Sequence, residues 1–511
     1  MKRYLSIYSL MLVAGFALQA RADVVYDKAQ VGNQEIEVVR MTVTPAAEPA
    51  PALRHRLLAR NVDLRSGNAV PYYYRAQGQL KSVMKQVREK FDEDEQLGLW
   101  YGTGEGATPI AKLPLEKVRE ASGMFDGIYQ DQLLPAFSRS DCDWELGIEE
   151  MRGVDVVSFL LPEFQDSREI SRMMALRTRL AIAERRYEDA IAIMRHQYRL
   201  GHDAASVPFL VCGLIGIAIN GISNGTLVEL IANPDSPNMY WALTELPQPP
   251  INLQPAARFE MDFGPRMFPF IHGAETAKHA PEEWNRLFTQ AIRDFAKLNG
   301  DMLEQQGSGK RPDALNEVKA GVAATGLGLL GYTHAKERLI AQGMSREQVE
   351  KMAVGQVLAI YTERVYQRFT DDYEKLWYVP FADMKKAANS TEKNLREASF
   401  LGSGEDRELL PIVSLLMPGM QAARGAQVRL ERQVAALRVI EALRMYAADH
   451  EGRLPKTLDE ITAVPLPDNP ATSKPFEYRL DGKTAVLSLP PSDGLSGGNC
   501  RFEIQIAAKG K

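Results

Sequence analysis

Cysteine is scarce: Cys142, Cys212 and Cys500 are the only three in 511 residues. At most one intramolecular disulfide can form, which excludes a disulfide scaffold and leaves the hydrophobic core to stabilise the chain. A basic surplus is also missing, with 61 Lys and Arg against 66 Asp and Glu. Nucleic acid is therefore not an expected partner, because neutralising phosphates needs a basic face. Period-two hydrophobic runs are rare between residues 53 and 416, so a sheet-based domain is not expected there. No H-E-x-x-H spacing is present to mark a zinc peptidase helix. What the chain does have is 45% hydrophobic residues, enough for a sizeable core, and a length that suggests two to four domains.

The N-terminus carries Met1-Lys2-Arg3, an apolar stretch from Tyr4 to Ala20, and Ala20-Arg21-Ala22 before Asp23. A charged region, an apolar region and an A-x-A site in that order form a secretory signal, with cleavage expected after Ala22. An uncleaved membrane anchor is the alternative. Removing Lys2, Arg3 and Arg21 takes the formal charge from −5 to −8. The expected location is periplasmic or secreted, and residues 23–52, with the Pro- and Ala-rich "TVTPAAEPAPA", are expected to form an arm or linker.

Residues 53–416 read as an α-helical domain. Leu80, Val83, Val87 and Phe91 recur at helical spacing, and Ser345 with Gln348 has capping-box spacing ahead of a long helical pattern. "ALRTRLAIAERRYEDAIAIMRHQYRLG", about residues 175–201, resembles a tetratricopeptide helix pair, with Tyr187 and Ala190 in the positions of that family's aromatic and small packing residues. No second copy follows at about 34 residues, as an array requires. "VPFLVCGLIGIAINGISNGTLVELIANP" is the most apolar segment, and its spaced glycines predict a central buried helix with close helix neighbours.

Residues 421–511 predict an α+β module. Ala426, Leu430, Val434, Leu437, Ile440, Leu443 and Ala447 recur every three or four residues, with Arg432, Arg438, Glu441 and Arg444 on the other faces. The helix should end near His450-Glu451-Gly452, before Pro455. "KPFEYRLDGKTAVLSL" predicts a hairpin turning at Asp481-Gly482, pairing Tyr478 with Ala485 and Phe476 with Leu487. "CRFEIQI" supplies a third strand, giving a long helix on a three-stranded antiparallel sheet.

"ALRMYAADHEGRLP", "PLPDNPATSKPFEYRL" and "DGLSGG" stand in the order of helix end, proline loop and glycine-rich loop that makes residues 428–506 resemble the globular part of type II secretion major pseudopilins. In that family the glycine-rich loop holds calcium, so the resemblance makes Asp493, in the 493–498 loop, the candidate ligand. The acidic cluster that follows in the family is Asn499-Cys500-Arg501 here, and the expected state is without a cofactor. His450 has no visible catalytic partner and reads as a helix-terminal residue favoured by the dipole.

Two sets of residues carry potential chemistry. Gly221-Ile222-Ser223-Asn224-Gly225 fits G-x-S-x-G, in which a strand-to-helix turn exposes the serine, although no HGGG-type oxyanion loop precedes it. His272, Glu275 and His279 would share one face of a helix and are residue types that zinc accepts. Ser82–Lys85 and Ser390–Lys393 match S-x-x-K without a following K-T-G, and "YGTGEGATP" reads as a flexible loop. Tyr72, Tyr73 and Tyr74 suit either an interface or packing on the first helices. Cys142 and Cys500 are expected as free thiols. The leading expectation is a non-enzymatic interaction or scaffold protein whose partners are other cell-envelope proteins. The alternative is an envelope hydrolase using Ser223, or a metal enzyme using the His272 face.

Overall fold

The computed structural model describes residues 24–31, 34–91, 94–153, 162–305, 331–384, 386–388, 397–398, 405–410, 412–492, 495 and 497–507. The expected leader, residues 1–22, lies outside them. The fold is mainly helical with one five-stranded sheet, whose order is β1 (Val24–Val31), β2 (Gln34–Val43), β7 (Cys500–Ile506), β6 (Thr484–Leu489) and β5 (Glu477–Asp481). A small pair, β3 (Arg65–Asn68) with β4 (Arg139–Asp141), stands apart.

Three of the five strands are the expected ones, and two are not. The stretch read as an arm folds into the antiparallel β1–β2 hairpin, and β2 runs parallel to β7, with Val39 beside Phe502 and Met41 beside Ile504. The sheet is therefore mixed, not a three-stranded antiparallel one. The β5–β6 hairpin is also shifted by two residues from the expected register: Tyr478 pairs with Leu487 and Leu480 with Ala485. Gly482 takes φ +59° while Lys483 does not adopt positive φ, the pattern of a glycine-first turn over Gly482-Lys483. An even shift preserves the faces, so the apolar side remains apolar.

On that side Val39, Met41, Val43, Ala485, Leu487, Phe502 and Ile504 join one core with the helices. The opposite side carries an ion chain, Asp27 to Arg40 at 2.9 Å, Arg40 to Glu503 at 3.0 Å and Glu503 to Arg501 at 2.8 Å. Val38 and Val486 are nevertheless buried on that side, as expected where long charged side chains lay their apolar stems over a sheet.

The helices that position the candidate sites are α1 (Val70–Phe91), α2 (Asp94–Tyr101), α3 (Leu115–Met124), α4 (Pro162–Ala183), α5 (Tyr187–Ala204), α6 (Leu210–Ala232), α7 (Tyr240–Thr244), α8 (Gln254–Met261), α9 (Pro281–Gln305), α10 (Val354–Glu374) and α11 (Ile412–Asp449). Helices α4 and α5 form the expected hairpin, and α6 packs on both. At 23 residues α6 is long and apolar enough to cross a membrane, yet two thirds of its apolar window is buried in the fold. Its glycines set how close the neighbours come: a Cβ on Gly216 would lie 2.5 Å from the Gly201 carbonyl of α5. The Ser345 capping box also forms, with both reciprocal bonds present.

Helix α11 is 38 residues long and spans the division expected between residues 416 and 421. Met420, Ala423, Val428 and Leu430 belong to the core with α9 and α10, while Val434 to Met445 belong to the core with the sheet and the α4–α6 helices. The helix is apolar on its expected stripe but buried on its other faces as well. Arg432, Arg438, Glu441 and Arg444 are 1%, 8%, 0% and 0% exposed. Two layers cover it, sheet on one side and helices on the other, and the charged residues lie where those layers meet it.

The exit of α11 follows expectation. Glu451 and Gly452 take positive φ, and the Gly452 N–H returns to the Ala447 carbonyl at 2.7 Å. His450 stacks on Tyr446 with ring centroids 3.8 Å apart. Tyr446 donates to Glu460 at 3.1 Å and Tyr478 donates to the Pro455 carbonyl at 2.7 Å, so two tyrosines hold the connecting loop against helix and sheet.

Candidate functional site

Ser223 sits inside α6, several turns from either end, and is fully buried. A nucleophile elbow needs a sharp turn that lifts the serine into solvent; here the five residues are continuous helix. Asn224 accepts a hydrogen bond from the buried Tyr198 phenol and donates to Gln433 of α11 at 3.0 Å. A Cβ on Gly225 would overlap Thr103, so the second glycine of the motif makes room for the 102–109 loop.

The three residues of the proposed metal face are not on one helix. Residues 272–276 form a succession of turns, and each side chain meets a different partner. His272 lies 3.6 Å from Glu363, Glu275 pairs with Arg364 at 2.9 Å, and His279 lies 3.6 Å from Glu283 and packs edge-on against Trp284. Among the described residues, no group of three or more His, Cys, Asp or Glu is placed to hold a metal. Asp493 and the Ser390–Lys393 match lie outside the described residues. Ser82 and Lys85 are on the exposed side of α1. The three cysteines are free, and burial pushes the Cys212 and Cys500 thiols up to about 12.

Tyr73 is buried and donates to Asp203 of α5, which also holds Arg199 at 2.8 Å. Its neighbours Tyr72 and Tyr74 pack against Arg139 and Trp144. The tyrosine run thus serves packing on the first helices.

A cleft of about 480 Å³ lies between α3, residues 126–134 and the outer side of the α4–α5 hairpin. Residues Tyr129–Leu133 form a wide π-helical turn, a local widening often found where a side chain must be re-aimed. It directs Tyr129 to His196, with the phenol oxygen 2.8 Å from Nδ1, and Phe137 stacks on the imidazole at 5.0 Å. Burial first, and the nearby Arg195 second, hold His196 down at about 4. Burial pushes Tyr129 up to about 12. Both groups are therefore neutral near pH 7, suited to hydrogen bonding and stacking. The rim is charged and already paired: Arg119 with Glu184 at 2.6 Å, Arg186 with Asp189 at 2.5 Å, and Arg177 with Asp126.

Two buried ion pairs brace the surrounding elements. Arg179 of α4 meets Glu229 of α6 at 2.8 Å through both Nε and Nη2, and donates to the Leu99, Trp100 and Thr108 carbonyls, closing the end of α2 and its loop. Arg444 meets Glu441 on α11 and donates to Thr44 and Ser236 carbonyls. Neither pair, nor the Tyr129–His196 contact, was visible as a motif. The available signal was a charge, or an i, i+3 pair of charges, within an apolar run, as in "TLVELIA" and "VIEALRMYAA". Comparison with family models, curated proteins and solved structures finds no match to this chain.

Proposed function

We propose that this chain is an interaction or scaffold protein of the cell envelope, and that a partner segment docks in the cleft between α3 and the α4–α5 hairpin. The carrying observation is the cleft itself, about 480 Å³ with Tyr129 and His196 within it and paired charges at its edge. The cleft combines Leu134, Leu180 and Ile193 with a larger set of charged and polar groups, a mixed surface suited to a polar partner segment. The leader pattern of residues 1–22 supports export. The helix-on-sheet arrangement of residues 412–507 supports the pseudopilin-like reading of the C-terminal region as an assembly module.

The test uses the full chain, because truncation before residue 421 would cut α11 and leave β2 without its β7 neighbour. A photo-crosslinking amino acid at Gln130 in the cleft, with one at Arg479 on β5 as a comparison, is expressed in cells and the adducts are identified by mass spectrometry. A partner protein captured from Gln130 and not from Arg479 is the expected result. Identical adduct patterns from both positions, or none from Gln130, refute the docking reading.

A further inference from the structure

A second concavity, of about 300 Å³, lies on another side of α5 and is lined by Arg54, His55, Arg56, Arg60, Asp63, Glu188 and Arg195 among others. Leu57, fully buried in the core with the sheet, pins the 53–63 segment and sets its arginines around the opening. Helix α5 contributes Glu188, Ile191 and Arg195, spaced to share one face.

Most of these charges are matched. Asp63 accepts from Arg60 through both oxygens at 2.8 Å, and Arg56 pairs with Glu245 behind the opening. Glu188 is shared, 3.8 Å from Arg54 and 3.5 Å from His55 Nδ1. Arg195 is the least closely matched: it makes no ion pair or hydrogen bond with a described residue, its charge reaches Asp63 only at longer range, and its Nε is buried without a partner. His55 is 7% exposed, and its Nδ1 has only the long 3.5 Å approach of Glu188. In a chain of net negative charge, four guanidiniums thus face three carboxylates around a recess that holds the unpartnered Arg195 Nε. A guanidinium nitrogen left buried and unsatisfied is unfavourable, and an oxyanion acceptor would relieve it.

We infer that this recess is a binding site for a small oxyanion, a phosphate or carboxylate group, held by Arg195 and Arg54 with His55 beside them. The planar guanidinium fork matches both groups in two-point geometry. The site is separate from the α3 cleft and does not rest on the docking reading.

The experiment is titration calorimetry of the full mature chain at fixed ionic strength, with inorganic phosphate in one arm and succinate in the other. Saturable binding in either arm is expected, weakened at least tenfold in Arg195→Gln and unchanged in Arg479→Gln on β5. Binding of phosphate alone assigns a phosphorylated ligand, of succinate alone a carboxylate ligand, and of both an oxyanion site without selection between them. If Arg195→Gln does not give the native circular dichroism spectrum, Arg54→Gln, at a more exposed position, is expected to weaken binding in its place. No binding in either arm, or binding untouched by the arginine substitutions, overturns the assignment.

Discussion

Replacing Arg444 by methionine tests whether α11 is held by charge as well as by apolar packing. Arg444 and Glu441 are both fully buried, with Nη1 3.0 Å from each carboxylate oxygen. Nε donates to the Thr44 carbonyl at 2.9 Å, and Nη2 to the Ser236 carbonyl at 2.8 Å and its hydroxyl at 3.0 Å. One guanidinium therefore joins the end of the β2 segment, the loop after α6 and the long helix. Methionine fills a comparable volume but leaves Glu441 without its counter-charge and strands the Thr44, Ser236 and Pro237 carbonyls. Removing one partner of a buried pair typically costs about 3–5 kcal/mol. Proton uptake by Glu441 limits the loss, since burial already pushes its carboxyl up and Arg444 is the largest opposing influence. A loss of about 4 kcal/mol at pH 7.5 is expected, read as a lower urea midpoint by circular dichroism and tryptophan fluorescence. A carboxyl whose folded pKa is raised contributes stability at low pH that is lost as pH rises through that pKa. The deficit of Arg444→Met should accordingly deepen from pH 5 to pH 8. Glu441→Met combined with Arg444→Met should cost less than the two single changes together, by about 2 kcal/mol or more. A loss under about 1 kcal/mol for Arg444→Met, or strict additivity in the cycle, would refute the reasoning.

The cleft histidine gives a pH signature of opposite sign. With His196 held at about 4 against 6.5, its contribution is complete above pH 6.5 and is lost as pH falls toward 4, by up to about 3 kcal/mol. His196→Gln should remove that acid-side slope in urea unfolding, and an unchanged slope contradicts a buried neutral imidazole. Gly225→Ala places a methyl against Thr103 and should lower stability by about 1–3 kcal/mol. Thr103→Ala in the same chain should recover part of that loss, measured by thermal unfolding, and no recovery would place the strain elsewhere.

The legible parts of the fold were those where one physical signal dominated. The α4–α5 hairpin, the Ser345 capping box, the β7 alternation and the Gly452 exit all follow from spacing and turn chemistry between near neighbours. The β1–β2 hairpin was not legible. Its "EVVRMTV" buries Val38 and Val39 on opposite faces, which blurs period two, and Pro-rich sequence follows it directly. The burial of the α11 charges was not legible for a related reason: helical spacing assigns residues to faces, and it takes tertiary context to know that a second layer covers a polar face. The same limit applies to the sites. Ser223 and the His272 trio matched patterns in the chain, yet a helix interior and a series of turns withhold the geometry those patterns need. Tyr129 and His196 are 67 residues apart, and nothing at either position announces the other.

The parallel pairing of β2 with β7 has a consequence for the order in which the molecule can be assembled. Arg40 meets Glu503 across 463 positions of chain, so the innermost contact of the sheet joins two of the most distant described segments. A chain emerging N-terminus first during synthesis would present the β1–β2 hairpin early, with one edge and an apolar face unsatisfied until β7 arrives. Closing so long a loop is slow relative to forming helices. For that interval the hairpin is an exposed pairing edge of the kind that invites wrong partners.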